Sequence, residues 1–364
     1  MKQSHSVARL LAAIALACSA GAQAAYSNLF VFGDSLSDSG NNYLLLAGVT
    51  TPVSDITGNS FIPTYPYASG NYTNGATWAQ TFAASTGLGS VPSLAPGGTN
   101  YAFGGARTSF PAYPTPGYTP SLTQQAGMFL TAHAGAAPSS ALYVVAGGGN
   151  NARDALEAIA GGADAVATIT ATATAYATDI GHIVGELKLA GAQHIIVWDT
   201  PDLGKGPAIL AQGAGAAALG TSIATAMNGA LAFALNGTGV QTFDLFGWMN
   251  VWVANPGLYG LSNVVDACGA LGALCNPSEY LFWDGIHPTS AGHALIADRM
   301  YALAVPEPAT YGMLLVGLAL VAGVARRRSA RASARERAYF DGQSQPLSNT
   351  IRQTFGASSR QIDV

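Results

Sequence analysis

The sequence has 364 residues, of which 49% are hydrophobic and only 9% are charged. This is ample for one large α/β domain and unusual for a cytosolic enzyme. Residues 25–305 contain five basic and fifteen acidic residues, a net charge of −10, which argues against nucleic acid as a partner and against attraction to anionic bilayers.

The first 24 residues have the pattern of a secretory signal peptide. Lys2, His5 and Arg9 form a basic start, and residues 10–18 form an apolar run too short to span a bilayer. Residues 22–24 read Ala-Gln-Ala, a typical cleavage site. We therefore expect an exported protein whose folded domain begins at residue 25.

A short apolar run at residues 29–32 predicts a buried strand that ends at Gly33, and Ser35 follows among turn-forming residues. Such a serine lies at the carboxyl edge of a sheet, where α/β folds bind ligands. A nucleophilic serine needs this exposure, a nearby base, and free backbone N–H groups. A serine here could equally cap a helix or shape a turn.

Two later segments carry candidate donors for an oxyanion. The glycine pair near Gly105 permits close backbone approach to a ligand. A buried strand at residues 142–146 leads into glycines and then Asn150. A backbone N–H from Gly105 and an amide from Asn150 are suited to bind a tetrahedral intermediate. A β-bulge and an asparagine turn are the alternative interpretations.

Strands and helices alternate through the rest of the domain. This order predicts a parallel sheet covered by helices on both faces. The predicted strands are 142–146, 194–198, 240–245 and one near Tyr101, and the predicted helices include 76–86, 121–132, 151–190 (broken near 161) and 291–302.

Cys268 and Cys275 remain after removal of the segment that contains Cys18. An even pair with this short spacing in an exported protein predicts a small disulfide loop. A zinc site would need two more ligands, and none is suitably spaced. We expect the bridge to stiffen the segment that presents Asp284 and His287, with a modest gain in stability.

Asp284 and His287 lie three residues apart in a loop before the last predicted helix of the domain. A serine nucleophile needs an imidazole as base and a carboxylate that orients the imidazole. One short loop supplies both here. Alone, the two residues could also be a helix cap and a surface histidine, or two metal ligands, but nothing nearby completes a metal site.

Together these segments resemble the SGNH-hydrolase superfamily, in its GDSL esterase/lipase branch. The resemblance covers about residues 26–303 and implies a three-layer α/β/α sandwich with a mostly parallel, flavodoxin-like five-stranded sheet. The four matching blocks are residues 32–38, 100–106, 148–150 and 284–288.

The resemblance also implies a role for each site residue. Ser35 would be the nucleophile and an oxyanion donor through its own N–H, with Gly105 and Asn150 as the other donors. His287 would be the base and Asp284 its orienting carboxylate, without metal or cofactor. The family's third block usually places Asp where this sequence has Asn151, which leaves the register between Asn150 and Asn151 open.

The composition changes after residue 304. A Val-Pro-Glu-Pro segment precedes an apolar run at 311–325 and three arginines. Residues 305–328 resemble the PEP-CTERM sorting signal of Gram-negative bacteria, which an exosortase-type enzyme is thought to process, and the run is near the minimum length for a transmembrane helix. We expect residues 329–364 to form a disordered tail.

The sequence thus predicts an exported serine esterase or lipase of the cell envelope or extracellular matrix, anchored at least transiently by its C-terminal helix. Its substrate would be a small ester, a lipid or an acylated glycan. Two alternatives within the same chemistry are an O-acetylesterase of polysaccharides and an acyltransferase. An alternative of another class is a non-catalytic envelope or matrix binding protein.

Overall fold

Strands and helices alternate through the computed structural model, which describes residues 26–109, 119–305 and 310–343. The predicted signal peptide lies outside these residues. Within them the strands are β1 (Leu29–Gly33), β2 (Leu142–Ala146), β3 (His194–Trp198), β4 (Gln241–Phe243), β5 (Asn263–Ala267) and β6 (Tyr280–Phe282). The helices are α1 (Asn41–Leu45), α2 (Trp78–Thr86), α3 (Leu122–Ala132), α4 (Gly149–Ala160), α5 (Ala165–Leu189), α6 (Pro207–Leu210), α7 (Ala214–Leu235), α8 (Leu245–Ala254), α9 (Ser290–Ala304) and α10 (Thr310–Gln343).

The main sheet is parallel and has the order β1-β2-β3-β4. The first three strands are short apolar runs whose residues are almost all buried, as expected for a parallel sheet with helices on both faces. Their carboxyl ends lie at one edge, which brings the loops after β1 and β2 together.

The expected fifth strand is reduced to an extended segment beside β1. Val31 donates a backbone hydrogen bond to Thr99, and Tyr101 donates one back to Val31. Among the described residues, this segment and β1 share one bridge, between Val31 and Asn100, so the main sheet has four strands and one bridged segment instead of five strands. Counting this segment, the order is the flavodoxin-like 2-1-3-4-5. A third bond, from the N–H of Phe103 to the carbonyl oxygen of Gly33, extends this contact to the end of β1.

Alternate residues of β1 face two separate cores, which makes the domain a three-layer sandwich. Phe30 and Phe32 pack in one core with α3, α4, α5 and α7. Leu29 and Val31 pack in the other with α2, α8 and α9. This alternation follows from the two-residue period of a strand.

A small parallel pair, β5 and β6, positions the loop that contains Asp284 and His287. β6 ends directly before this loop, and the N–H of Trp283 donates to the carbonyl oxygen of His287 to close it. Thr289 then caps α9, because its hydroxyl oxygen accepts a hydrogen bond from the N–H of Gly292.

The C-terminal region contains one continuous helix, α10, which extends to Gln343. The expectation of a disordered tail from residue 329 is therefore wrong for residues 329–343. Alanine, arginine and glutamate are strong helix formers, and they dominate this stretch. Residues 344–364 lie outside the described part of the chain. The compact unit that contains the sandwich comprises Ala22–Pro306.

By length and composition, α7 is the one helix among the described residues that passes as a candidate membrane span. Its buried side chains, among them Ile223, Met227 and Leu231, belong to the core on one face of the sheet. We therefore interpret α7 as a helix of the folded domain.

Candidate active site

Ser35 lies in a tight turn directly after β1. The turn closes through backbone hydrogen bonds from Ser37 and Asp38 to the carbonyl oxygen of Asp34. The carboxylate of Asp34 also accepts the N–H of Leu36. Ser35 is 8% exposed and lines a cleft at this edge of the sheet. The turn therefore presents its hydroxyl at the carboxyl edge of the sheet, as predicted.

Asp38 joins the serine turn to the second motif block. Its carboxylate accepts backbone hydrogen bonds from Gly40, Asn41 and Asn42 at the start of α1, and from Gly104. Burial raises the pKa of Asp38 to about 6 although these donors oppose the shift. This contact set is structural, and it fixes Gly104 and Gly105 relative to the serine turn.

Ser35, His287 and Asp284 form one hydrogen-bonded chain. The Oγ of Ser35 lies 2.8 Å from the Nε2 of His287. The Nδ1 of His287 lies 2.8 Å from the Oδ2 and 3.0 Å from the Oδ1 of Asp284. His287 is 2% exposed and Asp284 is fully buried. With Nδ1 donating to the carboxylate, Nε2 is an acceptor that faces the serine hydroxyl.

Three potential oxyanion donors lie beside this chain. The backbone N–H groups of Ser35 and Gly105 donate to no acceptor among the described residues. Gly105 has a φ of +79°, a conformation that favours glycine. Asn150, in the first turn of α4, donates one amide hydrogen to the carbonyl oxygen of Ala106, and the amide has a second hydrogen. Ser35, Gly105 and Asn150 all line the cleft.

Asn151 is directed elsewhere. Its Oδ1 accepts the backbone N–H of Thr108 over 3.1 Å, and its Nδ2 lies 3.3 Å from the hydroxyl of Thr108. Asn151 does not line the cleft that Asn150 lines. The structure thus brings Asn150, and not Asn151, together with Ser35 and Gly105.

His293 is buried in the domain and does not compete for the role of base. Its Nδ1 accepts the backbone N–H of Trp78 over 3.2 Å. Burial, with a smaller effect of His287, lowers the pKa of His293 to about 3. Among the described residues, no group of three or more His, Cys, Asp or Glu side chains is arranged to hold a metal ion.

Residues 29–300 match the family model of the GDSL-like lipase/acylhydrolases, which covers more than half of the chain. The chain belongs to this family. Residues 304–329 match the PEP-CTERM protein-sorting motif. Both resemblances stated from the sequence are thereby confirmed.

Curated relatives agree with this GDSL assignment. Esterase EstA of Pseudomonas aeruginosa is 31% identical over 332 residues, which are 81% of this chain and 49% of the relative. Lipase 1 of Photorhabdus luminescens is 31% identical over 210 residues, 58% of this chain and 27% of that lipase. The chain spans about half the length of EstA. Among solved structures, a lipase/acylhydrolase from Enterococcus faecalis aligns with a TM-score of 0.38 and 14% identity, covering 75% of this chain and 92% of that chain.

The cleft of this GDSL domain has a volume of about 580 Å³ and is lined by both charged and apolar side chains. The charged lining residues are Arg107, Arg153 and Glu157. Arg107 is held by a salt bridge to Asp154, with 2.7 Å between Nη2 and Oδ1. The large apolar and aromatic lining residues include Leu45, Leu46, Ile62, Pro63, Tyr65 and Ile286.

Cys268 and Cys275 form a disulfide beside the loop that carries Asp284. Cys268 packs in a small core with Trp283, and the N–H of the adjacent Gly269 donates to the carbonyl oxygen of Trp283 over 2.8 Å. The bridged segment thus contacts the backbone just before Asp284, where the sequence analysis expects it to act.

Tyr67 contacts Asp284 at the site, and the sequence did not predict this contact. Its hydroxyl donates a hydrogen bond to the Oδ2 of Asp284 over 2.7 Å. The two residues are 217 positions apart, and no local pattern in the sequence connects them.

Proposed function

We propose that this protein is an exported serine esterase that hydrolyses carboxylic esters through an acyl-enzyme. One observation carries the proposal: Ser35 and His287 line the same cleft as Gly105, whose N–H is free, and His287 is hydrogen-bonded to Ser35 on one side and to the buried Asp284 on the other. Membership of the GDSL family and the names of the relatives, Esterase EstA and Lipase 1, support the same class of reaction.

In the first half-reaction, the Oγ of Ser35 attacks the ester carbonyl carbon while the Nε2 of His287 takes the hydroxyl proton. The oxyanion accepts hydrogen bonds from the N–H groups of Ser35 and Gly105 and from the amide of Asn150. His287 then gives its proton to the departing alkoxide, the ester C–O bond breaks, and the acyl group remains on Ser35.

Water completes the reaction by the reverse proton movements. His287 takes a proton from water as the oxygen attacks the acyl carbon, and it returns the proton to Oγ as the carboxylic acid leaves. Asp284 holds the tautomer of His287 and stabilises the imidazolium that forms in each half-reaction.

The apolar side chains that line the cleft are suited to the acyl chain of the substrate. Leu45, Leu46 and Ile62 offer hydrocarbon surface in the cleft that Ser35 lines, and burial of each methylene contributes about 0.8 kcal/mol. Esters of fatty acids are therefore the proposed substrate class. Acetylated glycans are the alternative class, which activity restricted to acetyl esters would favour.

The test is hydrolysis of p-nitrophenyl acetate, butyrate, octanoate and palmitate by the purified chain, beside Ser35→Ala. We expect the variant to lose at least ~10³-fold in kcat and to escape labelling by a fluorophosphonate. Ser37→Ala is the matched control, because the Ser37 hydroxyl accepts a hydrogen bond from Trp78 and does not contact His287; it should still be labelled at Ser35. A folded wild type that is neither labelled nor active would support a non-catalytic binding protein, whereas activity on acetyl esters alone would favour deacetylation.

We also propose that α10 anchors the protein in the membrane until an exosortase-type enzyme processes it. The PEP-CTERM motif supports this proposal, as do the exposed apolar side chains of Leu318, Val321 and Val324 ahead of three arginines. Deletion of residues 307–364 should move the protein from the membrane fraction to the soluble exported fraction. The same distribution with and without these residues would refute the anchor.

A further inference from the structure

The loop that carries Asp284 and His287 is held by a segment from the other end of the domain, residues 59–74. The N–H of Gly285 donates to the carbonyl oxygen of Phe61 over 2.8 Å. The hydroxyl of Thr73 donates to the carbonyl oxygen of Pro288 over 2.9 Å. Residues 59–74 therefore contact the loop on both sides of His287.

Among the described residues, Tyr67 provides the only hydrogen bond from this segment to the carboxylate of Asp284. The Oδ1 of Asp284 accepts the backbone N–H groups of Ile286 and His287, both over 2.9 Å. The Oδ2 accepts the hydroxyl of Tyr67 over 2.7 Å and faces the Nδ1 of His287 at 2.8 Å. Tyr67 thus shares one carboxylate oxygen with the histidine that Asp284 orients.

The Tyr67 side chain is itself firmly placed. It is 2% exposed, and its ring meets the Trp283 ring edge-on at a centroid distance of 6.1 Å. It packs in the same small core as Cys268. Burial and the adjacent Asp284 both raise the pKa of Tyr67, so its hydroxyl remains a donor throughout the working pH range.

We propose that Tyr67 is a positioning residue that, through its hydrogen bond to Oδ2, fixes the Asp284 carboxylate and restrains the basicity of His287. This inference rests on the proposed function, in which His287 is the base. A donor to Oδ2 draws negative charge away from the oxygen that faces Nδ1, so the imidazolium is stabilised less. His287 then stays neutral, and able to accept the proton of Ser35, to lower pH.

Tyr67→Phe removes the hydroxyl and keeps the ring. It leaves a buried carboxylate oxygen with one donor fewer, which strengthens its interaction with protonated His287. We expect the pKa of His287 to rise by about half a pH unit or more. The acid limb of the kcat/KM profile should shift upward by the same amount, so that kcat/KM on that limb falls about threefold.

Other titratable groups also face His287. Asp34 and His293 interact with it electrostatically, and the ring of Tyr72 lies 5.3 Å from the imidazole. All three are present in wild type and variant alike, so the difference between the two titrations isolates the hydroxyl of Tyr67.

The experiment is an NMR titration of the His287 ring in the full-length chain, together with the pH profile of kcat/KM. Tyr143→Phe is the matched control, because this buried tyrosine in β2 donates its hydroxyl to Pro138 and lies outside the cleft lining. It should lose comparable stability and leave the His287 titration unchanged. If Tyr67→Phe also leaves the titration unchanged, the role of Tyr67 is structural and the proposal is overturned.

If the Tyr67→Phe variant fails to fold, a second substitution that strengthens the hydrogen bond to Asp284 tests the same proposal. A fluorinated tyrosine at position 67 is a stronger hydrogen-bond donor of nearly the same shape, and it should lower the pKa of His287. An unchanged or raised pKa would overturn the proposal. The NMR titration needs no turnover. If the protein hydrolyses no ester, the proposed function is refuted, but the titration still decides the role of Tyr67.

Discussion

The side-chain amide of Asn150 donates a hydrogen bond to the backbone carbonyl oxygen of Ala106, with 2.9 Å between the two atoms. Ala106 directly follows Gly105, so this bond ties two of the proposed oxyanion donors to each other. It also fixes the plane of the amide and thereby the direction of its second hydrogen. The donors are therefore placed before any substrate binds, which is the condition under which they lower a barrier most.

Asn150→Ala should lower kcat by about 10²–10³-fold, because it removes one preorganised donor to the oxyanion. Asn151→Ala is the matched control. It breaks the contacts with Thr108 and should reduce stability, but kcat should change only a few-fold. Steady-state kinetics on p-nitrophenyl butyrate and urea denaturation separate the two effects. The opposite ranking of the two kcat values would assign the donor role to Asn151.

Gly33→Ala should destabilise the domain by about 3 kcal/mol or more, because the structure leaves no room for a side chain at this position. A Cβ on Gly33 would lie 2.5 Å from the backbone carbonyl oxygen of Ala146 on the neighbouring strand. Neither strand is able to move without disrupting the sheet. Urea denaturation measures the loss.

Gly127→Ala is the control for this substitution. Gly127 lies in α3, and an added Cβ would meet nothing within 4 Å. Alanine is the better helix former, so this variant should be equal to the wild type or more stable by up to ~1 kcal/mol. A Gly33→Ala variant as stable as Gly127→Ala would contradict the packing at the end of β1.

Replacing Cys268 and Cys275 by serine should lower the free energy of unfolding by about 2–3 kcal/mol, the loop-entropy value for a bridge with a sequence separation of 7. Activity should also fall, because Gly269 then holds the backbone of Trp283 less firmly. Thermal denaturation with and without reductant measures the effect. Reductant should reproduce it in the wild type and leave the double variant unchanged; a wild type insensitive to reductant would contradict the prediction.

The stability of the domain should depend on pH through Asp199. Burial raises the pKa of Asp199 to about 7, whereas the pKa in an unfolded chain is about 3.9. The hydrogen bond from the N–H of Phe246 lowers this pKa, and the nearby Asp244 raises it further. Between these values the folded state holds a proton that the unfolded state has lost. The resulting stabilisation is complete below about pH 4 and is lost as the pH rises through about 7.

Asp199→Asn should remove this dependence, because the amide stays neutral and its oxygen can still accept the N–H of Phe246. The wild type should lose stability relative to the variant with a slope of up to about 1.4 kcal/mol per pH unit between about pH 5 and 7. Urea denaturation at several pH values measures the difference. Asp55→Asn, at an exposed position, serves as the control, and parallel curves for wild type and Asp199→Asn would refute the prediction.

Short apolar runs made the strands of the main sheet predictable from the sequence. The expected strands 142–146 and 194–198 agree with β2 and β3 at both ends. The expected strand at 240–245 was too long, because the carboxylate of Asp244 caps the next helix through the N–H of Gly247. Local patterns decide where a strand passes through the core, whereas a cap at its end depends on how the following helix packs.

The sequence by itself determined the membership of the GDSL family, the sorting motif, and the placement of Ser35 at the end of a buried strand, because each depends on residues close together in the chain. Only the tertiary structure showed that Asn150 lines the cleft and Asn151 does not, that the expected fifth strand is a segment bridged to β1, and that Tyr67 contacts Asp284. These features depend on side-chain directions and on contacts across up to 217 positions. A hydrogen bond between such distant residues requires no particular spacing in the sequence, so only the folded chain makes it visible.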